Sequence, residues 1–340
     1  MLRQQSGMAL ILVLMIFALV SVIATGIIQT QSMDVQRTTN RLGTQQAQAI
    51  VAGAESVVRT GLYLDWDDDP DVDHVLEDWA IDRTFPMDAG VVFIRISDLQ
   101  GRFNLNWLHQ SSSNRSIWWQ RFRNLLNRLE LDPMIANHWS DWLDESSQVD
   151  DAYLSMEPPY RAAYRECKHT SELMLIDGVT TEVYQRLEPY IACLPVSSQL
   201  NVNTASRFVL SALDTQMTLS EADQVISERG EDGIESVTNF LSLDAVKNYA
   251  NPPNSNDDDE NASQGGSQGA SQNSNAPKPW DANDFSIRTE YFEGFAEVTM
   301  GDEGDWVATS EFVLHRNAST GYIDTWYRDF SRRTARELPQ

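Results

Sequence analysis

Met8 to Ile28 reads MALILVLMIFALVSVIATGII, about 21 residues without a charge. As a helix it would be about 31 Å long, enough to cross the hydrocarbon core of a bilayer. It exceeds the roughly 7–15 apolar residues of an ordinary signal peptide, and no A-x-A site follows it. Arg3 is the one charged side chain before it, and Asp34, Arg37 and Arg41 come after it. The stretch reads as a transmembrane helix that stays with the chain.

Helical character continues past the membrane edge. No proline occurs from Gln29 to Tyr63, and Val35, Leu42, Ala49, Ala52 and Val57 recur at helical spacing among Gln, Thr and Arg. One long helix is expected, laying this apolar stripe on a soluble domain. The alternative is an anchor followed by a separate surface helix. Asp65 to Asp73 (DWDDDPDVD) ends the helix, because like charges crowd there and Pro70 cannot continue it.

Val91 to Ser97 (VVFIRIS) and Arg102 to Asn106 (RFNLN), joined by Gln100-Gly101, predict a β-hairpin. Helical segments follow over 117–131, 133–143, 171–190, 206–213, 219–229 and 234–243, with a short strand at Leu200 to Asn203 (LNVN). Residues 251–279 hold Ala as their one apolar type and read as a disordered loop. Beyond them, Phe285 to Thr289, Tyr291 to Met300, Trp306 to Arg316 and Tyr322 to Phe330 alternate as an antiparallel meander. The fold class is therefore α+β: a long N-terminal helix on an antiparallel sheet, with a large helical insertion. The expected organisation is a leader (1–7), a transmembrane helix (8–28), a first part holding the rest of the long helix and the β-hairpin (29–106), an inserted α-helical domain (107–250), the loop (251–279), and the closing strands with the C-terminal tail (280–340).

The chain has 340 residues, with Lys+Arg 25 against Asp+Glu 50 and a net charge of −25. Such a chain repels phosphate backbones, so nucleic acid is not an expected ligand. With 2 Cys and 5 His, a disulfide-rich scaffold, a four-thiolate zinc site and a multi-His metal centre are all disfavoured. No G-x-S-x-G or GxxxxGK[ST] occurs, and His109, His138 and His169 lack a paired nucleophile, so no enzyme is expected.

Gly7 stands directly before Met8. A short polar leader ending in Gly before an apolar run resembles the prepilin class III leader. That resemblance implies cleavage after Gly7 by a prepilin peptidase and N-methylation of Met8. The chain as a whole resembles general secretion pathway protein K, the family of the largest minor pseudopilin of the bacterial type II secretion system. The match is carried by SGMALILVLMIFALVSV, DLQGRFNLN, DWLDESSQVDDAYLSMEPPYR, SELMLIDGVTTEVYQRLEPYIACLP and LNVNTAS, in order over about residues 7–207. It implies a pilin-like fold with a SAM-like or helix-hairpin-helix-like insertion. It also implies an inner-membrane position with the C-terminal domain in the periplasm. A tip complex with minor pseudopilins I, J and H would prime pseudopilus assembly for export of folded proteins. Other pilin-like subunits carry Glu at the fifth mature position, where this chain has Leu12. A subunit without that Glu cannot neutralise the amine of a subunit ahead of it, which suits the tip.

Asp144, Glu145, Asp150 and Asp151 cluster after a predicted helix, with Asp141 one turn earlier. Hard oxygens in a loop suit Ca²⁺, and the resemblance implies calcium here, although Ser146 stands where an acid is expected. Asp65-x-Asp67-x-Asp69 starts like an EF-hand, but Pro70 replaces its Gly and Leu76 its Glu. Cys167 and Cys193 enclose a predicted helical pair and would form a disulfide on the oxidising side of the membrane; two buried thiols are the alternative. LIDGV (Leu175 to Val179) resembles a helix-hairpin-helix turn. Glu172, Asp177, Glu182 and Glu188 oppose DNA binding there, so it reads as a packing module. The alternatives to a pseudopilin are a periplasmic calcium-binding module or hydrolase on an uncleaved anchor, or a minor pilin of a type IV pilus.

Overall fold

The computed structural model describes residues 6–88, 90–251, 279–301 and 304–331. Residues 1–5 of the expected leader, residue 89, 252–278 of the expected loop, 302–303 and the tail from 332 lie outside the described residues. The helices are α1 (Ser6–Asp68), α2 (Arg115–Arg128), α3 (Ile135–Leu143), α4 (Asp150–Leu154), α5 (Thr181–Leu187), α6 (Arg207–Ser211), α7 (Leu219–Glu228), α8 (Val237–Ser242) and α9 (Lys247–Ala250). The strands are β1 (Arg83–Met87), β2 (Gly90–Asp98), β3 (Phe103–Asn104), β4 (Ile191–Ala192), β5 (Leu200–Asn201), β6 (Phe285–Ser286), β7 (Tyr291–Met300), β8 (Trp306–Arg316) and β9 (Ile323–Asp329).

α1 is one helix of 63 residues, and its most apolar window has a mean hydropathy of 2.9. Among the described residues it is the one helix long and apolar enough to cross a membrane. Its second half packs on a five-stranded antiparallel sheet of order β1-β2-β7-β8-β9. The buried stripe is Ala47, Val51, Ala54, Val58 and Leu62, which meets Val92, Ile94, Phe292, Ala296, Val298, Phe312 and Leu314. Gly43 sits under Trp306, whose indole leaves no room there for a Cβ. The helix and the strand β8 thus run the same way, Gly43 beside Trp306 and Leu62 beside Arg316.

This differs from the stripe expected from the sequence. Val35, Leu42, Ala49, Ala52 and Val57 are all exposed. α1 carries two apolar faces at helical spacing. The sheet takes the one whose small residues allow close approach, with Glu55 on it satisfied by Arg328 and Thr325.

The expected hairpin is also corrected. β2 pairs with β1 and with β7, whereas Arg102 to Asn106 leaves the sheet and β3 pairs in parallel with β4. The reason is burial: Phe103, Leu105, Trp107 and Leu108 belong to the core of the helical unit. β1 contains Pro86, is almost wholly exposed and lacks alternation, so no period-2 signal announces it.

The helical unit has its own core, separate from the α1–sheet core. Trp107 stacks on Trp118 at 3.7 Å and Phe103 stacks on Phe122 at 5.1 Å. This core also claims Trp280 and Phe285, and β6 pairs with β5. The chain therefore passes into the helical unit at about Gln100 and leaves it near Thr289, outside the expected 107–250.

Two N-x-N runs organise this unit. Asn104 Oδ1 accepts the Asn106 amide, and Asn201 Oδ1 accepts the Asn203 amide. The second Asn of each pair then imitates a strand. Asn106 accepts Cys167 N–H and donates to Cys167 O, while Asn203 accepts Ile234 N–H and donates to Ile234 O. Buried asparagines are tolerated because both ends of each amide are paired.

Candidate functional site

At the N-terminal end the backbone of Gly7 is already helical, so the expected cleavage position runs into the apolar segment without a turn. Met8 and Leu12 lie on this helix with their side chains exposed. Beyond the apolar segment, α1 is uncovered by its own sheet until Gly43. On the outer face, Val35 (66%), Leu42 (61%), Val57 (57%) and Leu64 (59%) stay exposed, with Ala49 between them. Their spacing of about seven residues is the repeat by which helices pack side by side. Gly53 and Gly61 lie on the same exposed side with nothing within 4 Å of an added Cβ.

The acidic loop is closed by arginines. Arg115 reaches Asp144 at 2.7 Å and Arg161 reaches Asp150 at 2.6 Å. Asp144 also accepts the Ser146 amide and hydroxyl. Those Ser146 bonds, with Arg115, hold its carboxyl down at about 2. Asp141 goes the other way, raised by burial. Asp141, Asp144, Glu145, Asp150 and Asp151 do not converge on one point. Among the described residues, the one acidic group with three ligand atoms within 4.8 Å of one another is Asp65, Asp73 and Glu77. There Arg316 already binds Asp65 and Asp73. As folded, the residues do not fit a calcium ion in the loop.

Cys167 and Cys193 are joined by a disulfide with Cα atoms 5.6 Å apart. It ties the segment clamped by Asn106 to the one following β4. Cys193 also lines a cleft of about 360 Å³ between the helical unit and the sheet, with Arg102, His169, Glu293 and Trp326. The three histidines singled out in the sequence do local work. His109 and His169 accept the Ser111 and Ser171 amides, and His138 Nδ1 lies 3.0 Å from Asp177 O. LIDGV forms a turn with Gly178 at φ 85, and Leu173, Ile176, Tyr184 and Leu187 around it are buried in the helical core.

The residues that join the two units were not singled out in the sequence. Asp98, 7% exposed at the end of β2, accepts from Asn201 Nδ2 at 3.1 Å and from the hydroxyls of Thr204 and Thr289. Asp73, 2% exposed, accepts the Thr289 amide and binds Arg316. Gln100 accepts the Glu290 amide, so the outgoing and returning chains are bonded side by side. Burial pushes Asp98 up to about 6 and Glu77 up to about 8, the latter with the charge of Asp65 adding to it. The available signal was Asp and Asn inside otherwise strand-like runs, DLQG and LNVNT.

A family model described as Type II secretion system (T2SS), protein K matches residues 101–196, and a second of the same description matches residues 200–257. Over the described residues both fall on the helical unit. The type II secretion system protein K of Pseudomonas aeruginosa is 32% identical over 318 residues, covering 88% of this chain and 86% of that protein. The chain belongs to the type II secretion system protein K family. The protein K of Klebsiella pneumoniae is 33% identical over 265 residues, 72% of this chain and 81% of that one. A chain in the crystal structure of the GspK–GspI–GspJ complex from enterotoxigenic Escherichia coli superposes with a TM-score of 0.68 at 23% identity. It covers 87% of this chain and 100% of that one. The protein K fold is thus the pilin-like α+β fold described above, with the helical unit set between β2 and β7.

Proposed function

We propose that this chain is a minor pseudopilin at the tip of the pseudopilus, where it primes assembly for export of folded proteins across the outer membrane. The observation that carries the reading is the position of the helical unit. It leaves the sheet at Asp98 and returns at Tyr291, the end beside Leu62 and Arg316. Leu62 lies 34 residues beyond Ile28, about 50 Å along the helix from the anchor. A second subunit stacked above would collide with this unit, while subunits beside and below remain free to pack. Leu12 supports the same polarity, since it offers no carboxylate to an amine ahead of it.

The exposed seam of α1 fits helices of neighbouring pilin-like subunits. By analogy with the complex in which the related chain was crystallised, these are pseudopilins I and J, and H would complete the set. The prepilin peptidase cuts after Gly7, Met8 is methylated, and the inner membrane holds residues 8–28 with the rest of the chain in the periplasm. We assign no catalysis to the chain, and family membership weighs against the anchored-hydrolase and type IV pilus alternatives. Calcium in the acidic loop requires Ca²⁺ to displace Arg115 from Asp144 and Arg161 from Asp150. A calorimetric titration without binding heat removes it.

The test of the proposal is intact mass and N-terminal peptide analysis of protein from native membranes. A chain beginning at N-methylated Met8 is the expected result. A chain still beginning at Met1 overturns the pseudopilin reading.

A further inference from the structure

The five-stranded sheet has two faces. Phe292, Ala296, Ala308, Phe312 and Leu314 face α1. Side chains alternate along a strand, so Glu293, Phe295, Thr309, Glu311 and Val313 lie on the outer face. One end of that face lies beside the neck, where Asp98, Asn201 and Thr289 join the helical unit to the sheet. A bulge in β9 builds this end. Leu314 pairs with Thr325 and Val313 with Tyr327, so Trp326 is the extra residue and stands beside Tyr327 on the outer face. Trp326 meets the rings of Tyr291 and His315, and Tyr327 lies 5.8 Å from His169 of the helical unit.

Further from the neck the outer face changes from aromatic to acidic. Asp329 stands directly opposite Glu311, and Glu297 directly opposite Thr309. Like charges opposite one another on neighbouring strands repel, so a cation belongs on this row. The arginines of the sheet pair with other acids: Arg328 with Glu55 on the α1 side, Arg102 with Glu293, and Arg95 on β2 with Asp82. Phe295, Thr309 and Glu311 are nonetheless buried, as on a covered face.

The chain itself arrives at this place. β9 runs from Ile323 past Asp329, and Thr309 Oγ1 donates to Ser331 O at 2.7 Å. Ser331, the last described residue, therefore sits beside the acidic row. Residues 332–340 read RRTARELPQ, with Arg332, Arg333 and Arg336 first and Glu337 after them. From β9 to β2 is a distance of about 14 Å at the usual strand spacing. The segment 332–340 spans up to about 30 Å when extended. The order of its charges matches the order across the face, with the acids of β8 and β9 first and Arg95 on β2 last.

We infer that residues 332–340 dock across the outer face of the sheet. Arg332 and Arg333 are held by Glu311 and Asp329, Arg336 by Glu297, and Glu337 turns towards Arg95. The chain thus covers this face itself, which leaves neighbours of the domain the exposed side of α1. The inference stands on the sheet and does not depend on the place of the chain in a filament.

The test is tryptic release of this segment from the full chain in detergent micelles, beside a synthetic peptide of residues 329–340. Release is read by mass spectrometry of the C-terminal peptides, and its rate follows the undocked population. Cleavage after Arg333 and Arg336 should be slower than in the peptide by about tenfold or more, as one or two charge-assisted bonds provide. Glu311→Gln combined with Asp329→Asn should bring the rate close to that of the peptide. Asp324→Asn, on the same strand but on the other side of Trp326, should leave the protection unchanged. A segment cut as fast as the peptide overturns the proposal. So does protection that survives the double substitution or is lost equally in Asp324→Asn. Protection that falls on dilution overturns it too, because the segment then sits on a second copy. Should the double variant fail to fold, Glu297→Gln decides alone: cleavage after Arg336 should accelerate, and an unchanged rate overturns the proposal.

Discussion

Two glycines of this chain should respond to the same substitution with opposite signs. Gly101 follows Gln100 at the neck, and a Cβ built there lies 2.6 Å from Thr204 Oγ1 and 2.9 Å from the Thr204 carbonyl carbon and oxygen. Carbon contacts sit comfortably at about 3.5–4.0 Å. Two of the three atoms are backbone, so rotating a side chain does not relieve the clash. Gly101 is not in the left-handed region, and its backbone would otherwise accept alanine. Overpacking costs about 1–3 kcal/mol, and alanine returns about 0.4–1 kcal/mol through the unfolded state. Gly101→Ala should therefore destabilise by about 1–2 kcal/mol, or about 1–3 °C in Tm for a chain of this size. Gly53 on the exposed face of α1 meets nothing within 4 Å. Gly53→Ala should stabilise by about 0.5–1 kcal/mol. Thermal and denaturant unfolding of the two variants in the same detergent is the assay. A Gly101→Ala protein as stable as the parent, or two variants shifted in the same direction, would refute the packing argument at the neck.

Replacing Cys167 and Cys193 together by alanine should cost about 3.5 kcal/mol by the chain-entropy estimate for a loop of 26 residues, read from denaturant midpoints beside a mass comparison with and without reductant. Acid should loosen the loop around Asp144 on its own schedule. Its carboxyl is depressed to about 2, so its contribution is complete above about 3.8 and lost as pH falls through 2. The fluorescence of buried Trp142 should report this, and Asp144→Asn should remove the change between pH 4 and 2.

Much of the architecture was legible because local chemistry and tertiary packing agree. The anchor is an unbroken apolar run, the helices α2 and α3 each bury one regular stripe, and the meander β7–β9 is rich in aromatic and β-branched residues. The failures share one physical cause. α1 has two apolar stripes, and periodicity alone does not say which one the sheet covers. RFNLN has strand chemistry, yet Phe103 and Leu105 are buried in the helical core, so a local pattern pointed to the wrong partner. Of the candidate site, the cysteines were visible as a pair, and the acids of the loop were visible as a cluster. The arginines that close the loop, Arg115 and Arg161, stand 29 and 11 residues from their partners and carry no local signal. The neck was hidden for the same reason: Asp98 meets Thr289 across 191 residues.

The parallel course of α1 and β8 has a mechanical consequence. A pull on the N-terminal end acts along the helix, and so along the plane of its seam with the sheet. The seam is loaded in shear, and its contacts must yield together. Along it stand the five buried apolar side chains, Glu55 on Arg328, the Arg59 bond to Ile323 O and the Trp66 bond to Ala318 O. A load at right angles would instead peel these contacts one at a time. A displacement of the N-terminal end of α1 along its axis would thus carry the whole domain with it.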